Sequence, residues 1–467
     1  MNLKKLSNFF IFLSICFFQI YAEAETVIGI YDSGVDPIHL DLEHKLKRNS
    51  LEKANNRDDD HNNAIDDIFG WNLIDENDKV FKDELRETFP PKIYKYYQVK
   101  TKKALGTISI SERRWYEEIR KDELFLKTLK IFKSFIHGTH ITGIAVKTEG
   151  HLSHLDLKYY PIRYLGSTET GRWIEPEFTA LKKGTHKTRL NHIKKYFTRY
   201  SSWQKKKWLR AIELTHKDVE IINGSFGKSF KSVLKVSENK YKSEFGNIPT
   251  EEIKVELAND LLQKLVILTE QIANKYPKFL FVFSAGNSKT DNDQYLHYPS
   301  NARASNIISV GASKQHIARA YFSNFGKKTV DLFAPGLAIN STIPSNSYIR
   351  VNGTSQASPY ISNVAAKALE IAKQKRINLS IKSLKTILLR TVDKKKELLE
   401  QSVSGGIVNP ERVYAAIRLL KRNSVKTAVN KSMSLVGPIN SFDKTCVEEF
   451  GALRSSDTLI DALPEPF

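Results

Sequence analysis

Short apolar runs that suit buried strands alternate along this chain with longer stretches whose apolar residues recur at helical spacing. The strand candidates are Thr26 to Tyr31, Leu280 to Ser284 and Asn306 to Val310, with weaker ones at Glu220 to Asn223 and Thr329 to Phe333. Ile253 to Lys275 places Val255, Leu261, Leu262, Leu265, Leu268 and Ile272 mostly on one side of a helix. Ser358 to Lys373 and Ser380 to Thr391 read as two further helices, and Pro359 fits the first of them if it falls in the first turn. Strands alternating with helices predict an α/β fold, a parallel sheet covered on both faces. Two stretches interrupt the pattern. Residues 76–130 are charged and helix-prone, and residues 166–210 are strongly basic, with no Asp or Glu between Phe178 and Ile212. Past about Leu420 the periodicity fades, so 421–467 reads as an extension without an assigned order.

The 467 residues, 41% of them hydrophobic, suffice for one large domain or two to three smaller ones and argue against a wholly disordered chain. The first 24 residues read as a secretory signal: Lys4 and Lys5 precede an apolar run from Phe9 to Ile20, and Ala22-Glu23-Ala24 offers small residues before a cut. The apolar run is short for a retained membrane anchor. Lipid attachment at Cys16 meets the bulk of Ile15. The mature chain would keep only Cys446 and so no internal disulfide. The expected destination is periplasmic or extracellular, with no stable membrane span after cleavage. The net charge of +20 favours acidic partners and says nothing of fold.

Three distant pieces carry candidate chemistry. Asp32 follows the first apolar strand and precedes Ser33-Gly34, at a strand end of the kind that borders clefts in α/β sheets. Alone it reads as well as a turn or capping Asp. His137 opens His-Gly-Thr-His-Ile-Thr-Gly, and an imidazole suits proton transfer near neutral pH; with His140 three residues on, metal binding is as good a reading of the pair. Ser355 lies in Gly353-Thr-Ser-Gln-Ala-Ser-Pro359, just before an apolar helical run. There the helix's unpaired N–H groups favour a developing oxyanion, although a plain N-cap is the simpler role and Ser358 competes for it.

Taken together and in the order Asp, His, Ser, these pieces resemble the subtilisin-like serine peptidases (subtilases) over roughly residues 25–420. The resemblance implies a three-layer α/β/α fold with a mostly parallel central sheet. It implies a catalytic triad of Asp32, His137 and Ser355, with His137 as base and His140 structural. Phe281-Val-Phe-Ser-Ala-Gly-Asn287 resembles the segment that presents an oxyanion-hole Asn, here Asn287. Asn223-Gly-Ser-Phe-Gly227 resembles the edge along which an extended substrate lies. Ser225, Phe226, Gly227, Ala285 and Gly286 are then substrate-binding candidates. Tyr298-Pro-Ser300, Ser309 to Ala312 and Asp331 to Gly336 also fit. Gln356 and Tyr360 depart from the family's usual Met and His, which touches packing and subsite shape rather than proton transfer.

Asp58, Asp60, Asn62 and Asp66 stand at positions one, three, five and nine of a candidate Ca2+ loop. Asn63 holds position six, Phe69 stands where a closing Glu belongs, and Asp67 or Asp75 is available to complete the shell. Asp41 resembles another of the family's calcium positions. No organic cofactor is called for. Leu181 to Arg210 carries eleven Lys or Arg with Tyr196, Phe197, Tyr200, Trp203 and Trp208 interleaved. That pattern suits an anionic surface or acidic partner, or a plain solvated helix; no nucleic-acid fold motif accompanies it, so nucleic acid is not expected. Only Glu25 and Thr26 separate the expected cut from the Asp32 strand, so no N-terminal pro-segment fits there. The chain is expected to fold unaided, to use a separate helper, or to cover the cleft with part of itself, the 76–130 stretch and the C-terminal tail being the candidates. The expected activity is that of an exported serine endopeptidase acting on polypeptides through an acyl-enzyme. The rivals are a catalytically silent binding protein for an anionic envelope partner, and a serine esterase or amidase.

Overall fold

A computed structural model describes residues 25–166, 173–181 and 183–439. The signal candidate, Cys16, Cys446 and most of the C-terminal extension lie outside the described residues. In chain order the strands are β1 (Thr26–Asp32), β2 (Trp71–Asn72), β3 (Leu157–Arg163), β4 (Val219–Gly224), β5 (Leu280–Ser284), β6 (Ile307–Lys314), β7 (Ala318–Arg319), β8 (Leu332–Pro335), β9 (Ile339–Ile343), β10 (Ser347–Val351), β11 (Asp393–Lys394) and β12 (Gly406–Ile407). The helices are α1 (Pro91–Leu105), α2 (Ile110–Ile119), α3 (Glu123–Ala145), α4 (His186–Glu213), α5 (Phe230–Phe245), α6 (Glu251–Lys275), α7 (Thr354–Gln374), α8 (Ile381–Arg390), α9 (Pro410–Leu419) and α10 (Val425–Leu435).

The main sheet runs β11-β12-β8-β6-β5-β4-β1-β3-β2, with β7 paired to β6; β11–β12 and β6–β7 are antiparallel and the other pairs parallel. Successive strand residues point to opposite faces. Ile28, Ile30, Leu280 and Val282 accordingly join one core with α7, α8 and α9. Val27, Tyr31, Phe281 and Phe283 join a second core with α4, α5 and α6. The result is three layers, with β1 flanked by β3 and β4 inside the sheet.

The charged stretch 76–130 builds a third, smaller core. Phe81, Ile93, Tyr96, Tyr97, Tyr116, Phe125 and Phe132 pack there against Ile343, Ile349 and Val351 of the β9–β10 hairpin. Its last helix does not stop at the end of the stretch. α3 is a single 23-residue helix whose first half buries Phe125, Leu129 and Phe132 in the small core and whose second half buries Ile141 and Ile144 in the large one. The basic stretch forms α4, and its ring side chains turn inward: Tyr196, Phe197, Tyr200 and Trp208 are buried with Ile193 in the second core. Beyond Leu420 the chain adds α10, with Ala428 and Val429 buried.

α7 starts at Thr354, four residues before the expected start, so Pro359 lies inside the helix and not in its first turn. Proline has no N–H for the carbonyl four residues back. That carbonyl, of Ser355, accepts instead from Ser225 Oγ at 3.0 Å and, more weakly, from Ser358 Oγ at 3.4 Å. A side chain at the end of β4 thus repairs the helix at the point where it carries Ser355.

Phe132 is fully buried in the small core. Phe132→Ala should lower stability by about 3–5 kcal/mol. Because α3 joins both cores, urea unfolding followed by two probes should shift as one transition; early loss of the 76–130 core alone would show that the two cores are not coupled.

Candidate active site

β1 ends at Asp32, and the second half of α3 lies across that end. Asp32 Oδ1 accepts the Ser33 N–H at 2.7 Å and lies 2.6 Å from His137 Nδ1. Asp32 is fully buried and His137 is 2% exposed. The two elements approach backbone to backbone: a methyl carbon added at Gly138 would sit 2.1 Å from the Gly34 carbonyl oxygen, so only glycine fits there. Ser33 Oγ donates to the Ser134 carbonyl and accepts the Gly138 N–H at 3.3 Å. The Asp36 N–H donates to Thr139 Oγ1 at 3.0 Å. Helix and loop are therefore tied on both sides of His137. His137 Nε2 is buried without a hydrogen-bond partner among the described residues.

His140 points elsewhere. Its Nε2 pairs with the Ile349 carbonyl of β10 at 3.0 Å, and burial pushes its pKa down to about 3, so the ring is neutral and donates that bond. The residues alone left its role open between metal ligand and packed residue, and the family resemblance made it structural; in the structure it pins α3 to the hairpin.

Ser355 stands at the second residue of α7, fully buried, and its hydroxyl donates to the Ser225 carbonyl at 3.1 Å. Its neighbour Thr354 holds the other wall. Asn287 Oδ1 accepts from the Thr354 N–H at 2.9 Å and from Thr354 Oγ1 at 3.1 Å, and Thr354 Oγ1 accepts the Gly286 N–H at 3.1 Å. Two donors on the oxygen fix which end of the Asn287 amide faces Thr354 and turn the NH2 end away from it. The loop after β5 is stapled further: Asn292 Nδ2 donates to the Ala285 carbonyl at 2.9 Å, and Asn324 Oδ1 accepts from the Ser288 and Thr290 N–H groups at 2.8 and 3.1 Å. Nothing in the sequence marked Asn292 or Asn324, and Thr354 stood in the Gly-Thr-Ser string without a role of its own.

The substrate-binding candidates border this cluster. Ser225 and Ala285 are fully buried, and Phe226 stacks on Tyr164 with centroids 5.2 Å apart and is 3% exposed. Another contact missed from sequence ties the 76–130 stretch to the site. Arg86 grips Asp36 with both terminal nitrogens, at 2.7 and 2.6 Å, and Asp36 lies four residues beyond Asp32.

The candidate Ca2+ loop folds on itself. Oxygens of Glu52, Asp58 and Asp60 lie within 4.8 Å of one another, and Asn62 Oδ1 is buried without a partner among the described residues. Asp66 faces the other way, its oxygens accepting from the Asn55 and Asn56 N–H groups at 3.0 Å each. Burial, with Asp60 and Glu52 close by, pushes the Asp67 carboxyl up to about 6. The donor set consists of hard oxygens, as a Ca2+ site requires, and Glu52 is a member that the spacing did not offer. Asp41 lies apart, accepting from the Tyr348 hydroxyl at 2.6 Å.

No helix among the described residues is long and apolar enough to cross a membrane. A sequence model described as the subtilase family matches residues 23–407. Subtilisin-like protease 2 of Plasmodium falciparum is 31% identical over 132 residues, covering 28% of this chain and 10% of that protein. Alkaline elastase YaB of a Bacillus species is 36% identical over 132 residues, covering 28% of this chain and 32% of that one. The matches thus span about a tenth to a third of these relatives' length. Among solved structures, the A-subunit of the AB5 toxin from E. coli superposes with a TM-score of 0.45 at 16% identity, covering 84% of this chain and 93% of that one.

Burial keeps His140 neutral in the folded state, whereas an unfolded chain protonates it below about pH 6.5. Its contribution to stability is therefore whole above about pH 6.5 and declines as pH falls toward 3. Urea midpoints measured from pH 7 to 4 should fall on acidification, with this residue contributing on the order of 1 kcal/mol per pH unit. His140→Gln should be less stable at pH 7 and show a shallower decline. An equal slope in both proteins would remove His140 as a cause.

Proposed function

The chain belongs to the subtilase family, and on that premise we propose that it is an exported serine endopeptidase working through Asp32, His137 and Ser355. The contact that supports this most is the 2.6 Å approach of Asp32 Oδ1 to His137 Nδ1, which fixes the tautomer and leaves Nε2 as the basic nitrogen. The Ser355 hydroxyl turns from the Ser225 carbonyl toward Nε2, gives up its proton there and attacks a peptide carbonyl. The Ser355 N–H and the Asn287 NH2 group stabilise the oxyanion. His137 then passes the proton to the leaving amine, and water clears the acyl-enzyme. The peptide lies along residues 225–227, with Ala285 and Gly286 on its other side. The residues before 25 act as the export signal.

Ser355→Ala should fold normally, with an unchanged circular dichroism spectrum, and lose hydrolysis of a denatured protein substrate. Asn287→Ala should lower kcat by about 10²–10³-fold. Covalent labelling of Ser355 by a fluorophosphonate separates an enzyme from a silent scaffold, because a scaffold that binds an anionic partner would not react. Wild-type cleavage by Ser355→Ala would refute the assignment, and turnover of esters with no cleavage of peptides would favour an esterase.

Ca2+ is proposed to sit among Glu52, Asp58, Asp60 and Asn62 Oδ1, relieving the repulsion of three close carboxylates. Excess Ca2+ should raise Tm and chelator should lower it. Asp58→Asn with Asp60→Asn should abolish that difference, and a Tm indifferent to Ca2+ in the wild type would exclude the site.

A further inference from the structure

Two glycines, on the two segments that contact Ser355 and Thr354, pack against the same end of one ring, the imidazole of His297. A methyl carbon added at Gly227 would meet the Tyr298 carbonyl oxygen at 2.3 Å and His297 Cε1 at 2.5 Å, and one added at Gly286 would meet Asn324 Nδ2 at 2.5 Å and His297 Nε2 at 2.8 Å. The ring therefore fills the space between the segment after β4 and the segment after β5. It is 1% exposed and firmly held. His297 Nδ1 pairs with Ser300 Oγ at 2.7 Å, and the backbone N–H of His297 donates to Asn301 Oδ1 at 3.0 Å. The next residue, Tyr298, exchanges backbone hydrogen bonds with Lys228 at 2.8 and 3.1 Å, which fastens this stretch to the end of the 225–227 segment.

Both segments converge on the nucleophile candidate. The Ser225 carbonyl accepts from Ser355 Oγ, and Asn287 Oδ1 accepts from the Thr354 N–H. A peptide whose carbonyl oxygen faces Asn287 while its main chain follows 225–227 must direct the side chain of the acyl residue between the two segments. His297 already occupies that space. We infer that His297 sets the primary specificity by closing this pocket, so that the chain cleaves after Gly, Ala or Ser and rejects aromatic, leucine and lysine side chains there. The inference rests on the proposed triad and on the reading of 225–227 and 285–287 as the substrate walls.

The test profiles cleavage sites in a denatured protein mixture with the wild type, His297→Gly and His297→Ala, while fluorophosphonate labelling of Ser355 reports an intact site. The wild type should cut after small residues at least ten-fold more often than after Phe, Leu or Lys. Both variants should label as the wild type does and gain at least ten-fold in kcat/KM for peptides with Phe or Leu at that position. A wild type that labels and cuts as readily after Phe, Leu or Lys as after Ala overturns the role of His297 and leaves the peptidase reading standing. The same holds if both variants label normally but keep the wild-type profile. A variant that fails to fold leaves the wild-type profile to decide. A wild type that neither labels nor cleaves overturns both readings together.

Discussion

A carboxyl group at the end of a central strand, with no exposure to water, is the constraint around which this molecule is organised. Burying such a group is costly unless hydrogen bonds replace the water it loses. Asp32 has the Ser33 N–H and His137 on one oxygen, while Oδ2 has no partner among the described residues. The helix carrying His137 must therefore arrive at hydrogen-bond distance, which the glycine contact at Gly34 and Gly138 permits and the Ser33 and Thr139 bonds maintain. Arg86 extends this arrangement outward, since its grip on Asp36 fixes the loop that leaves Asp32.

The same constraint explains why the 76–130 stretch is more than an appendage. Its final helix is the first half of the helix that bears His137, so the small aromatic core and the proposed base share one rigid element. His140, three residues after His137, bonds to β10, whose Ile349 and Val351 close that small core. Movement in the stretch would have to be transmitted along α3 or through the hairpin. The contacts described for the stretch, to the β9–β10 hairpin and to Asp36, are those of a brace.

What the sequence made legible was whatever repeats or stands in a fixed local string. The strands β1, β5 and β6 were readable because they are largely apolar runs, β4 and β8 less so because Glu220 and Asp331 interrupt theirs, and α6 because its leucines recur at helical spacing. The basic stretch was harder. Ile193, Tyr196, Phe197 and Tyr200 stand at intervals of three, four and seven, the stripe of a core-facing helix, but the surrounding lysines drew attention to a surface. Contacts between single polar residues far apart in the chain were not legible at all. Ser225 with Ser355, Thr354 with Asn287, Arg86 with Asp36 and His297 against two glycines each depend on a register that only the folded sheet defines. Glu52 escaped for the same reason, lying outside the loop spacing that identifies Asp58 and Asp60.

The position of the Ser355 hydroxyl is compatible with catalysis because of what holds it. It donates to the Ser225 carbonyl, a neutral bond worth about 0.5–1.5 kcal/mol net, and the proposed mechanism asks it to exchange that bond, by turning to another staggered rotamer, for one to the imidazole. Ser225 Oγ meanwhile bonds the Ser355 carbonyl in place of the N–H that Pro359 lacks, so the backbone stays fixed while the hydroxyl turns. Backbone placement and side-chain freedom are thus separated at one residue. Proline at 359 breaks a helical hydrogen bond, and the hydroxyl of Ser225, just past the end of β4, takes its place. The strand end proposed to bind the peptide and the helix that carries the proposed nucleophile are in this way joined by the same two serines.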